Sequence, residues 1–193
     1  VAGSLILQSV MTELKIKEMR VSEYALREGM ILDTVEQRLG AKTRTSLEDV
    51  RRQSVLQVAK RFRYEKTHSH QVARLALRLF DQLKDLHLLG PQEREYLEAA
   101  ALLHEIGLFV SHAQHHRHSY YLIRNAEILG FTDPELEMIA NIARYHRKSQ
   151  PKPRHDTFAR LSPQQQGVVR ALASLLRIAD GLDRTHSSAV RDV

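Results

Sequence analysis

The sequence predicts an all-α bundle from about Leu47 onward, and three observations carry that reading. Apolar residues recur there at i, i+3, i+4 and i+7 spacing, with no sustained strand alternation. All five prolines fall in gaps between the periodic stretches or in the first turn of one. The run Ala99-Ala100-Ala101-Leu102-Leu103 is apolar all round, as a helix buried in a core must be.

Residues 1 to about 39 read differently. Leu7, Val10, Met11 and Leu14 have the spacing of one helix, Lys17 to Val21 reads as a short strand, and Ser22-Glu23-Tyr24-Ala25 as a cap leading into a second helix. This helix–strand–helix piece has too little apolar surface to fold alone. It is expected to pack on the domain that follows or to end a larger one. Gly40 to Ser46 is a polar break, with Ser46 capping the next helix.

Beyond the break the expected helices are about 47–62, 67–87, 92–110, 115–129, 133–146 and 163–183. In the second, Val72, Leu75, Ala76, Leu79, Phe80 and Leu83 form one buried stripe. Gly90-Pro91 opens the third, and Asp133-Pro134 opens the fifth as cap and first turn. Pro151, Pro153 and Pro163 punctuate a loop before the last helix, where Leu172, Leu176 and Asp180 are spaced by four. Asp180 therefore continues an apolar face, where a carboxylate wants a cation.

A chain of 193 residues can bury one sizeable core plus an appendage. It has no cysteine, so disulfides and thiolate metal sites are excluded and a transition-metal site must use histidine and carboxylate. No apolar run approaches the ~18 residues of a membrane span, and no signal peptide is evident, so a soluble cytoplasmic protein is expected. The net charge is +6, and six basic residues against one acid lie between Arg144 and Arg160. Arg144, Arg147, Lys148, Lys152 and Arg154 are therefore candidate contacts for an anion such as a phosphate chain. Only Tyr145 and Phe158 could stack on bases there, which argues against nucleic acid.

His104 and Glu105 interrupt the most apolar helix, where both need a partner, and a divalent cation would serve them together. Of the eleven histidines, His70, His104, His118 and His146 each sit at the edge of a strongly apolar helical segment. The others, including His68, His186 and the consecutive His115 and His116, read as surface or hydrogen-bonded residues. Neighbours on a helix cannot all face one site.

His70, His104-Glu105 and Asp180 resemble, in that order, the metal-binding signature of the HD superfamily. These are helical metal-dependent phosphohydrolases whose ligands run His, His-Asp, Asp. His118 and His146 fall where two-metal members, such as cyclic di-GMP phosphodiesterases, carry extra histidines. Glu105 stands where the superfamily has Asp, one methylene longer.

A closer resemblance covers nearly the whole chain. Ser22-Glu23-Tyr24-Ala25-Leu26-Arg27-Glu28-Gly29, Leu103-His104-Glu105-Ile106-Gly107, His118-Ser119-Tyr120-Tyr121-Leu122-Ile123 and, most specifically, Ile142-Ala143-Arg144-Tyr145-His146-Arg147-Lys148 are similar to the C-terminal region of the exopolyphosphatase and guanosine pentaphosphate phosphatase family. The resemblance implies an HD-like helical domain over 40–193, preceded in 1–39 by the end of an actin-like catalytic domain of the sugar-kinase type. That domain's glycine loops and catalytic glutamate would lie upstream, so no catalytic residue is assigned here.

The implied role is to bind inorganic polyphosphate or guanosine pentaphosphate and to support a homodimer of a phosphoanhydride hydrolase. The alternative is an HD-type phosphohydrolase acting on a nucleotide or other phosphate ester. A divalent Mn, Fe, Zn, Ni or Mg ion would then sit on His70, His104, Glu105 and Asp180. His118 and His146 would hold a second ion or the leaving phosphate.

Overall fold

The computed structural model describes residues 2–16 and 47–193, and the chain divides into two units, Val1–Arg44 and Thr45–Val193. In the first, α1 (Ala2–Glu13) contains Leu7, Val10 and Met11 as expected, with Leu14 in the turn that follows. Its Leu5, Ile6, Leu7 and Val10 are exposed. The expected strand at Lys17–Val21, the helix from Ser22 and the break with its Ser46 cap lie outside the described residues.

The second unit runs α2 (Leu47–Arg61), α3 (Lys66–Gln82), α4 (Lys84–His87), α5 (Pro91–Leu103), a 3-10 turn (Ile106–Phe109), α6 (His115–Asn125), α7 (Asp133–Arg144), α8 (Asp156–Ala159) and α9 (Pro163–Leu182). No strand occurs among the described residues. The apolar run of α5 makes it the hub, packed against α2, α3, α7 and α9, with Leu97 and every residue from Ala99 to Leu103 buried.

Three expected helices end well short, and the one expected over 115–129 stops at Asn125, where Ala126 turns extended (φ −87°, ψ 145°). The stretch expected to run from 67 to 87 breaks at Leu83 (φ −98°, ψ 19°), and the short α4 closes on Leu88 in the left-handed region (φ 55°). The ring of His87 holds this corner, donating from Nε2 to the Phe80 carbonyl (2.8 Å) and accepting from the Leu89 N–H at Nδ1 (3.0 Å). The stretch expected to run to 110 leaves the α-helix at Leu103, and His104 and Glu105 stand in the turn beyond it.

The far end of the bundle is tied by Glu135, a buried carboxylate at the start of α7. Its Oε2 accepts from the Thr132 N–H (2.7 Å), and its Oε1 from the Tyr96 hydroxyl (2.9 Å) and Gln92 (3.1 Å), with Arg51 3.3 Å away. Every partner is a donor. Glu135→Gln keeps the volume but turns one acceptor into a donor facing donors, so it is expected to cost about 2 kcal/mol in a urea melt. A loss under ~0.5 kcal/mol would mean that this network contributes little.

Candidate metal centre

The opposite end gathers the chemistry. α5 ends beside His104-Glu105, α7 ends two residues before His146, and Asp180 lies in the last turn of α9. Three helix C-termini thus meet at one place, and each brings partial negative charge that favours a cation. The starts of α3 and α6 add His68 and His115.

Two groups of ligand atoms form, His68, His104, Glu105 and Asp180, and Glu105, His115 and His146, the atoms of each group lying within 4.8 Å of one another. Asp180 Oδ1 is 3.4 Å from both His68 Nε2 and His104 Nε2, and Glu105 Oε2 is 3.8 Å from His68 Nε2. His115 Nε2 and His146 Nε2 are 3.3 Å apart.

The tautomers follow from the outer partners. A carbonyl only accepts, so Nδ1 of His104 donates to Ala101 O (2.7 Å) and Nδ1 of His146 to Ala143 O (2.6 Å). His68 Nδ1 donates to the buried Asp183 carboxylate (2.9 Å), which also accepts from the Ser188 N–H (2.8 Å). In the neutral rings each Nε2 then carries its lone pair inward, the arrangement that outer carboxylates and carbonyls impose on metal-binding histidines. The ring of His186 stacks on His68 (3.7 Å, 2°) and donates to Glu65 (2.6 Å).

These residues fit a cation. His68 Nε2, His104 Nε2 and Glu105 Oε2 are buried and have no hydrogen-bond partner. Lone pairs facing carboxylate oxygens in a dry site repel unless positive charge lies between them. A proton is the other way to supply it. Burial alone would lower the His68 pKa, but Asp180, Asp183 and then Glu105 raise it to about 9. Burial would raise Asp180, yet His104 and His68 hold it far below the usual carboxylate range. His146 lies well below an ordinary histidine through burial and then His104, and His115 is lowered by burial and Arg147.

Above these groups opens a cleft of about 420 Å³, lined by Glu105, His146, Asp180 and His186 and by four cations, Arg147, Lys148, Arg177 and Arg184. Arg177 also donates to the carbonyls of Tyr145 (3.3 Å) and Lys148 (3.1 Å), fixing the loop after α7 to α9.

Among the residues singled out from sequence, His104, Glu105, Asp180 and His146 come together here, and His70 and His118 do not. His70 faces Tyr64, its Nε2 3.0 Å from the hydroxyl. His68 takes its place because it precedes Val72 by four and Ala76 by eight, which puts it on the buried stripe, whereas His70 is turned away. His118 is half-buried outside both groups. His115 takes that place, four and eight residues before the buried Ser119 and Ile123.

Of the basic candidates, Arg147 and Lys148 line the cleft. Arg144 turns to Thr157 and lies over the Tyr120 ring (5.7 Å). Lys152 and Arg154 are exposed and line no part of the cleft. Sequence reasoning missed Arg177, Arg184, Asp183 and His186. Periodicity marked Leu172, Leu176 and Asp180 but gave no reason to single out the polar residues around them.

Residues 50–192 match the family model described as Ppx/GppA phosphatase, domain III, and residues 1–38 match that of the Ppx/GppA phosphatase family. Over 179 residues the chain is 30% identical to a guanosine-5'-triphosphate,3'-diphosphate pyrophosphatase of Pseudoalteromonas atlantica (strain T6c / ATCC BAA-1087), covering 92% of this chain and 34% of the relative. The chain thus spans about a third of that relative's length. No described helix is long and apolar enough to cross a membrane. By a family match that covers most of its length, the chain belongs to the Ppx/GppA phosphatases, and its helical unit corresponds to their domain III.

Proposed function

We propose that this helical unit holds the phosphate chain of the substrate of a phosphoanhydride hydrolase, in the basic cleft above a divalent-cation centre. The observation that carries the reading is the set of orphaned His68, His104 and Glu105 atoms, Glu105 and its neighbour Asp180 lining a cleft rimmed by Arg147, Lys148, Arg177 and Arg184. His68, His104, Glu105 and Asp180 would hold the cation. Two imidazoles and two carboxylates favour Mn, Fe, Zn or Ni over Mg, which prefers an all-oxygen shell. When bound, the cation supplies neutralisation of phosphate oxygens and acidifies a bound water. Asp183 holds the His68 ring in the ligating tautomer, and the four cations orient the polyanion.

The relative's name points to guanosine 5'-triphosphate 3'-diphosphate as the substrate. Inorganic polyphosphate offers the same chain of phosphates. Residues 1–39 are read as the end of the catalytic domain, with the whole protein a cytoplasmic homodimer. A second reading, hydrolysis of a phosphate ester at this centre itself, is favoured by the mixed histidine–carboxylate donor set.

The test is titration of the chain with inorganic polyphosphate in Mn-containing buffer. Binding is expected to weaken steeply with salt, and R147A/K148A to lower affinity about tenfold or more. Absence of binding at low salt, or an unchanged affinity in the double variant, overturns the reading. Phosphate release by the chain alone separates hydrolysis from holding.

A further inference from the structure

We infer that His186 is a positioning residue for the centre: its ring covers His68, and it is kept there by a strap, residues 187–193, that α3 grips from outside. That the cover also governs the passage of a cation rests on the reading above.

His68 has no exposed surface, although Asp180, 3.4 Å away, lines the open cleft. The ring of His186 lies flat against it at 3.7 Å, yet the His186 side chain keeps 36% of its surface exposed and lines the cleft that His68 does not reach. His104 closes another side of His68 with a tilted ring (5.4 Å), and the buried Asp183 sits at Nδ1, so His186 is the outward wall of the enclosure. It belongs to neither ligand group. What a stacked imidazole supplies to His68 is exclusion of water, which keeps the bond to Asp183 in a low dielectric.

His186 does not hold this place by backbone preference. It and Ser188 both take the left-handed region (φ 54° and 51°), which is costly for a residue with a Cβ. Among the described residues no backbone–backbone hydrogen bond involves 187–193. The strap hangs instead on side chains of α3. Gln71 donates to the Val190 carbonyl (2.6 Å), Arg74 to the same carbonyl (3.2 Å) and to that of Arg191, and Gln82 to that of Val193, while Arg78 pairs with Asp192 (3.1 Å). Arg74 is aligned by Gln71, whose Oε1 accepts from its Nε (3.2 Å) and Nη2 (3.0 Å). Val190 and Val193 pack half-buried against the core. At the foot of the strap, the Ser188 N–H donates to the carboxylate that also holds His68. Docking of the strap and the setting of His68 thus share one carboxylate and one stacked ring. A segment held by a few side-chain bonds opens more readily than packed helices, so release from α3 lets the left-handed bend relax and lifts His186 off the ring.

The experiment follows the His68 Nδ1 proton by nuclear magnetic resonance in metal-free chain with isotope-labelled histidine, and measures its exchange with water. His186→Ala is expected to speed that exchange about tenfold or more. His186→Phe keeps a flat ring over His68 without the hydrogen bond to Glu65, and should restore most of the protection. Q71A/R74A alters neither ring and should speed exchange as His186→Ala does. In Mn-loaded chain, transfer of the ion to a chelator should quicken in the same variants. Unchanged ring exchange in His186→Ala, or in Q71A/R74A, overturns the inference, and faster ring exchange with unchanged ion transfer overturns the control of cation passage. A chain that takes up no Mn overturns the reading above, and exchange in the metal-free chain still decides the role of His186. Were His186→Ala to lose its helical circular dichroism, Q71A/R74A would decide.

Discussion

Gly107→Ala is expected to destabilise the helical unit by about 3 kcal/mol or more and to pull His115 out of the centre. A Cβ at this position would lie 2.0 Å from the His115 carbonyl oxygen and 2.5 Å from the Ser119 nitrogen, both backbone atoms that cannot swing aside. The close approach has a purpose. Gly107 N–H donates to Ser119 Oγ (2.9 Å), which donates to the His104 carbonyl (2.7 Å), so α6 is docked directly on the turn that carries His104 and Glu105. Any side chain at 107 moves α6 outward, and His115 is its first residue. Thermal denaturation should show the midpoint falling by roughly 10 °C. A midpoint within ~2 °C of wild type would mean that the interface tolerates a methyl group and that this docking is not tight.

The second large effect is a stability maximum near pH 6.5 in chelated protein, with a loss of about 3 kcal/mol between pH 6.5 and 9. Folded His68 keeps its proton up to about 9, while an unfolded histidine releases it near 6.5. Below 6.5 both states are protonated and the contribution of the carboxylates around His68 is complete. Above 6.5 the unfolded chain binds fewer protons than the folded one, so stability falls until His68 itself titrates.

On the acid side the sign reverses. His116 is lowered to about 4 by burial and then His115, and His115 and His146 are lowered too. There the unfolded state binds more protons, and stability rises with pH up to 6.5. Urea melts across pH 5 to 9 test both limbs. With a divalent cation bound, the proton on His68 is replaced and the descending limb should flatten. A chelated chain whose stability does not change between pH 6.5 and 9 would show that His68 does not hold that proton.

The helical fold was readable because it rests on long apolar stripes and on prolines that mark several of the gaps. Its errors lie where a single residue decides: at Leu83, where the chain breaks, and past Leu103, where the close approach of α6 to Gly107 requires a turn. The centre was readable in part for the same reason. His104-Glu105, His146 and Asp180 each interrupt or end an apolar run, and such interruptions stand out.

His68 and His115 were passed over because they sit in the first turn of their helices, before the apolar stripe has begun. Only counting backwards by fours from Val72 or Ser119 puts them on the inner face. Arg177, Arg184 and Asp183 belong to the site because α9 crosses the end of α7 and the start of α3, a tertiary fact with no local signature. Arg144 misled in the opposite direction, since a basic residue in a basic segment turned inward onto Tyr120.

The candidate ligands at positions 68, 104, 105, 115, 146 and 180 lie in or just past five of the long helices of the unit, and the clamp from His68 to Asp183 joins residues 115 apart in sequence. Such a centre cannot nucleate folding, because none of its parts are neighbours until the last helix has docked. An ion binding there would act only on the exit from the native state, slowing unfolding while leaving the folding rate as it was.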